Sequence, residues 1–99
     1  MKAYEPGTVI WHKVRGVHQI IIKTNGIQSE NGWGWGYDVF GQKGSGDDDE
    51  YDVQKNLVSH SYAIKVGKIK LDLADINSMI AYLQCLNKLA NRHGTTGYI

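Results

Sequence analysis

Ninety-nine residues are expected to make one domain, with enough chain for one core. The single cysteine, Cys85, excludes an internal disulfide and any cysteine-built zinc site, and its expected place is a small core position on a helix. No stretch is apolar for long enough to span a bilayer, and Met1 to Pro6 lacks the apolar run of a signal peptide, so a cytoplasmic location without membrane contact is the expectation. Net charge is only +1, but five of the ten acidic side chains sit together at Asp47, Asp48, Asp49, Glu50 and Asp52. The rest of the chain is therefore mildly basic, which is compatible with nucleic-acid contact.

In chain order, Pro6-Gly7 signals a turn and Thr8 to Val14 reads as a strand. Arg15-Gly16 suits a two-residue hairpin turn, with Val17 to Thr24 as the return strand. That turn sets Trp11 opposite Ile20 and Val9 opposite Ile22 on one face. Ile10 then faces Ile21, and Val14 faces Val17, on the other. Both faces are apolar, so both need cover, which a strongly curled sheet with a helix on it provides. Asn25-Gly26 predicts a second hairpin with a short strand from Ile27 to Glu30, followed by a loop over Asn31 to Gly34. Trp35 to Phe40 alternates as a strand with Trp35, Tyr37 and Val39 on its core side. Gly41 to Gly46 reads as a flexible linker into the acidic run. Tyr51 to Val58 and Ser61 to Val66 are further strands, turning at Ser59-His60.

A helix is predicted over 72–93. Leu73, Ile76, Ile80, Leu83, Leu86 and Ala90 recur at three- and four-residue steps and form one apolar face. Asp72 can accept the free amides of the first turn, Asp75 adds charge at the positive dipole end, and Gly94 is a natural left-handed stop. Met79, Tyr82, Cys85 and Leu89 widen the stripe. They extend the core contact or, as the alternative, form a flank through which two copies pair as a homodimer. A loose tail over 95–99 follows. The expected architecture is a single α+β domain: about five short strands in a small, curled, mainly antiparallel sheet, with one C-terminal helix packed on it.

Pro6-Gly7-Thr8-Val9-Ile10, Arg15-Gly16-Val17 and Tyr37-Asp38-Val39 give the first part of the chain a pattern that resembles the small SH3-like barrels of the KOW and Tudor kind. The resemblance spans roughly the first 60 positions and leaves out the C-terminal helix. It implies binding to nucleic acid, modified side chains, or polymerase and ribosome components.

The residues themselves offer little catalytic chemistry. His12 and His18 point to opposite faces of the predicted hairpin, and His60 and His93 lie apart from them in sequence, so no metal or acid–base site converges. The acidic run lacks the alternating oxygen ligands and sixth-position glycine of a calcium loop, and reads as a solvated arm. Gly32-Trp33-Gly34-Trp35-Gly36 lacks the following helix and Lys-Ser/Thr pair of a phosphate loop. The glycines serve a bulge or tight turn with Trp35 in the core, and Trp33 either shares that structural role or stands on the surface, where its ring could stack on a base or insert into a partner pocket.

The expected function is that of a non-enzymatic binding protein without cofactor or metal, regulatory or inhibitory, acting by occupying a protein partner's surface through Trp33, Asp47, Asp48, Asp49 and Glu50. The alternative is a nucleic-acid-associated barrel, an accessory of transcription or translation, with phosphate contacts from Lys13, Arg15, Lys65, Lys68 and Lys70.

Overall fold

The computed structural model describes residues 2–30, 32–43 and 50–92, apart from the side chains of 29, 33 and 90–92. Five strands appear in chain order: β1 (Thr8–His12), β2 (Val17–Ser29), β3 (Gly32–Gln42), β4 (Tyr51–Ser59) and β5 (Ala63–Lys68). A 3-10 turn over His60–Tyr62 joins the last two, and one helix, α1 (Ile76–Arg92), follows. The strands make a single antiparallel sheet in the order β4-β3-β2-β1-β5.

The sheet is rolled. Its edge strands β4 and β5 lie four strand spacings apart along the order, which in a flat sheet is about 19 Å. Yet Val58 of β4 and Ala63 of β5 belong to one buried cluster with Ile10, Ile21, Tyr37 and Val39. That cluster fills the inside of the roll, and Tyr4 packs against it. The other face carries Val9, Ile20 and Phe40, which bury Met79 and Leu83 of α1, with Ile80 and Leu86 beside them. Burying each large apolar side chain here is worth about 1.5–3 kcal/mol, so α1 is held chiefly by the sheet rather than by its own propensity. Two apolar faces thus receive two different covers, the roll itself and the helix.

Local chemistry corrects the expected boundaries. β1 ends at His12, and the connection is the four-residue loop Lys13 to Gly16. His12 Nδ1 accepts the amides of Val14 (3.2 Å) and Arg15 (3.1 Å), and the Gly16 amide donates to the His12 carbonyl (2.9 Å). Val9 therefore pairs with Ile20, and Trp11 with His18. The register moves by two residues, so every strand side chain keeps its expected face. Val14 leaves the strand and is exposed.

No turn forms at Asn25-Gly26. The ladder runs straight through, with Asn25 opposite Gly36 and Gly26 opposite Trp35. The Asn25 amide donates across the pair to Asp38 Oδ1 (3.0 Å), so its side chain serves the sheet instead of a turn. The strands connect further on, where Ser29 pairs with Gly32 and Gly32 takes φ +111°. The expected loop over 31–34 is accordingly mostly strand. Asp38 also takes the amide of Asn56, which sits at φ +55° in a bulge between the Tyr37–Val58 and Val39–Gln54 pairs.

The helix starts later than its pattern suggests. Asp75, not Asp72, is the cap: its Oδ1 accepts the Ser78 amide at 3.3 Å. Asp72 instead closes a turn on Ala74 (3.0 Å) and Asp75 (3.1 Å). Leu73 and Ile76 are 50% and 46% exposed because they lie at or before the first turn, clear of the sheet; the buried stripe is centred on Met79 and Leu83. Cys85 is exposed. Ala90 lies beyond the described side chains, and His93, Gly94 and the tail 95–99 lie beyond the described residues.

Candidate partner-binding arm and the polar clusters

β2 and β3 are longer than the strands beside them. β1 pairs with β2 only from Val17 to Ile20, and β4 pairs with β3 only from Gly36 to Gln42. Four further ladder pairs, from Gly26–Trp35 to Ser29–Gly32, have no third strand on either side among the described residues. They form a two-stranded arm extending roughly 10–14 Å past the rolled body. Ile27 and Trp35 are 37% and 36% exposed on it. Trp35 is thus an arm residue, not the core residue its alternation with Tyr37 suggests. Gly36 permits the arm to lie close to β4: a Cβ there would meet Ile27 Cδ1 at 2.5 Å and Asn56 Oδ1 at 2.8 Å. No charged residue occurs between Lys23 and Glu30, or between Glu30 and Asp38. Sheet edges are commonly guarded by charges, prolines or bulges, and the arm's strand segments 26–29 and 32–35 have none of these; Glu30 stands between them.

Trp33 stands in this arm, its backbone opposite Gln28. Its side chain lies outside the described set, as do Asp47, Asp48 and Asp49. Glu50 is exposed and closes the base of the acidic segment. Its carbonyl accepts the Lys43 amide at 2.8 Å, and its carboxylate lies 4.0 Å from Lys43 Nζ. That base is at the far end of β3 from the arm, roughly 30 Å away along the strand. The Trp33 backbone and Glu50 therefore lie toward opposite ends of β3.

The expected phosphate contacts divide further. Lys65 and Lys68 join Lys2, Tyr4, Glu5 and Thr8 around a cleft of about 220 Å³. Lys68 Nζ is bonded to Glu5 Oε2 at 2.7 Å, which holds the Glu5 carboxyl below its ordinary range. Lys70 lines a different groove of about 330 Å³, beside Asp72, Asp75 and Tyr82. Lys13 and Arg15 are in the β1–β2 loop, past the opposite end of β1. There Arg15 donates to Gln54 Oε1 (2.8 Å) and the Gln42 carbonyl (3.1 Å), and Gln54 Nε2 donates to the same carbonyl (2.9 Å).

The described histidines hold three separate parts of the fold together. His12 organises the β1–β2 loop and stacks on Tyr62 with ring centroids 5.9 Å apart. Burial, helped by the Arg15 charge, lowers its pKa. His18 lies on the helix-covered face, edge-on to Trp11; its amide and Nδ1 both lie against Asn87 Oδ1 of α1, at 2.9 and 2.8 Å. Because that oxygen only accepts, Nδ1 carries the proton. Burial lowers the His18 pKa against the opposing pull of Asn87. His60 Nδ1 is 2.6 Å from the Tyr37 hydroxyl, which accepts the Tyr4 amide at 2.9 Å. Burial raises the Tyr37 phenol, away from the ionised form a nucleophile or base requires.

Sequence reasoning missed Asn87, although it stands four residues after Leu83 on the buried helix face. It also missed the Tyr4–Tyr37–His60 cluster, for which the sequence carries no local signal. Among the described residues no group of three or more His, Cys, Asp or Glu is placed to hold a metal, and no helix is long and apolar enough to cross a membrane. No family model, curated protein or solved structure matches the chain.

Proposed function

We propose that this protein is a non-enzymatic binding module that acts on a protein partner, in a regulatory or inhibitory way, by presenting the β2–β3 arm to it. The observation that carries this reading is the arm itself: two strand segments, 26–29 and 32–35, that carry no charge and have no third strand beside them among the described residues, and that bear exposed Ile27 and Trp35. An exposed aromatic on a projecting hairpin is a natural interface anchor, and a free strand edge offers backbone bonds to an extended partner segment. Trp33 belongs to the same arm, and Asp47, Asp48, Asp49 and Glu50 supply a second, electrostatic contact. We read the rolled sheet as an SH3-like barrel of the KOW and Tudor kind, a reading supported by the meeting of Val58 and Ala63 from opposite edges. The lone exposed thiol of Cys85 fits a reducing, cytoplasmic setting.

The test is affinity capture from host lysate with the wild type and with an Ile27→Asp/Trp35→Ala variant, each with and without nuclease. The reading expects a captured protein that the variant loses while its melting temperature holds, and that nuclease leaves in place. Capture unchanged in the variant would defeat it. The nucleic-acid reading draws support from the cleft that gathers Lys2, Lys65 and Lys68. It expects capture to vanish with nuclease and to fall steeply with salt. The helix flank of Tyr82 (37% exposed), Cys85 and Leu89 (43% exposed) supports a homodimer contact, which sedimentation of Leu89→Lys against the wild type tests.

A further inference from the structure

We propose that His12 is an acid-sensitive latch for the β1–β2 loop. Its neutral ring holds the loop shut through Nδ1, and its protonated ring releases Arg15 from β3 and β4. The geometry fixes the tautomer. Two backbone amides, those of Val14 and Arg15, donate to Nδ1, so that nitrogen must present a lone pair and the ring proton must reside on Nε2. A proton taken from solvent can bind only at Nδ1. There it turns the shared acceptor into a third donor facing two others, and both loop bonds are lost together.

The loop has little else of its own to hold it. Val14 is exposed, and the remaining ties are the Lys13 amide on the Tyr62 carbonyl and the Gly16 amide on the His12 carbonyl, both 2.9 Å. Arg15 is the outward end of the device. Its guanidinium spans from this loop to Gln54 on β4 and to the carbonyl of Gln42, the last residue of β3. Gln19, paired with Gly41 one residue before Gln42, is fully buried, with neither amide atom bonded to protein. Letting water reach that amide favours the open state. The charged group acting on the ring is Arg15 on its own loop, and the titratable neighbour is Tyr62 on the 3-10 turn; its ladder partners Val17 and Ala63 carry none. The burial of His12, which is 5% exposed, opposes a charged ring, and the Arg15 charge does the same, so release falls below the ordinary histidine value of 6.5. The outcome is an acid-triggered loss of the Arg15 bonds to Gln54 and to the Gln42 carbonyl, which keeps its bond from Gln54 Nε2, at the point where the chain leaves β3 for the acidic segment.

The test is residue-resolved amide exchange, corrected for intrinsic rates, alongside NMR of the histidine ring nitrogens between about pH 8 and pH 5. In the wild type, protection at Val14 and Arg15 should fall by about tenfold or more, with the midpoint of the His12 ring. In His12→Asn the side-chain carbonyl can take the same two amides, as in an Asx-turn, and protection should not depend on pH. Three results overturn the proposal: a neutral ring carrying its proton on Nδ1, a ring that titrates while both amides stay protected, or equal acid loss of protection in His12→Asn. Should His12→Asn not fold, the wild-type titration decides alone.

Discussion

Asn87→Ala removes a side chain that ties the helix to His18 on β2, the central strand of the sheet. Asn87 Oδ1 takes both the backbone amide of His18 (2.9 Å) and its ring Nδ1 (2.8 Å), and His18 is fully buried. Each such bond has a net value of about 0.5–1.5 kcal/mol, and stripping the partner from a buried donor costs about 1–3 kcal/mol. Alanine should therefore destabilise the fold by about 2–4 kcal/mol, a large part of the roughly 5–15 kcal/mol available to a domain. At this chain length that corresponds to a melting temperature lower by roughly 10–30 °C. Asn87→Asp keeps an acceptor oxygen in place, should melt within about 1 kcal/mol of the wild type at neutral pH, and should raise the His18 pKa through the added charge. Thermal melts followed by circular dichroism, with NMR titration of His18, read both effects. If Asn87→Ala stays within about 0.5 kcal/mol of the wild type, His18 is not tied to α1 as described.

Leu83→Ala should cost about 2–5 kcal/mol, because Leu83 is fully buried between α1 and the sheet, whereas exposed Gln84→Ala should stay within about 0.5 kcal/mol in a denaturant titration. Trp35→Ala should remain within about 1 kcal/mol in the same assay, since its ring stands on the arm; a loss of 3 kcal/mol or more would put it in the core. Replacing residues 44–49 with a short Gly/Ser linker should leave the melt nearly unchanged, because the Lys43–Glu50 backbone bond at the base is kept. His12 and His18 both have lowered folded pKa values, so the unfolded chain binds more protons below 6.5. Stability should be full above that pH and decline as the pH falls from 6.5 through the lowered values, which denaturant midpoints across that range will show.

Much of the fold is legible in the sequence because its faces are set by parity. Moving the first hairpin by two residues left Val9, Trp11, Ile20 and Ile10, Ile21 on their expected sides. Turn chemistry was less reliable, since the chain holds two Asn-Gly pairs and local propensity does not choose between them. Pairing with β3 and the Asn25–Asp38 bond hold the first one straight. The helix period was plain, but Asp72 and Asp75 both suit a cap, and where the sheet stops covering α1 is a tertiary fact. The arm was hidden for a related reason: that β2 and β3 outrun β1 and β4 depends on strand pairing and not on local pattern. Alternation with Tyr37 and Val39 points Trp35 to the core, and nothing local marks Ile27 as its neighbour on an arm.

The most direct test of the account is hydrogen exchange on the protein alone and in complex with its captured partner. Binding through the arm predicts slowed exchange concentrated at Ile27, Gln28, Gly34 and Trp35, with little change at Lys65 and Lys68. Protection centred on β5 and the lysine cleft, with the arm unaffected, would contradict it.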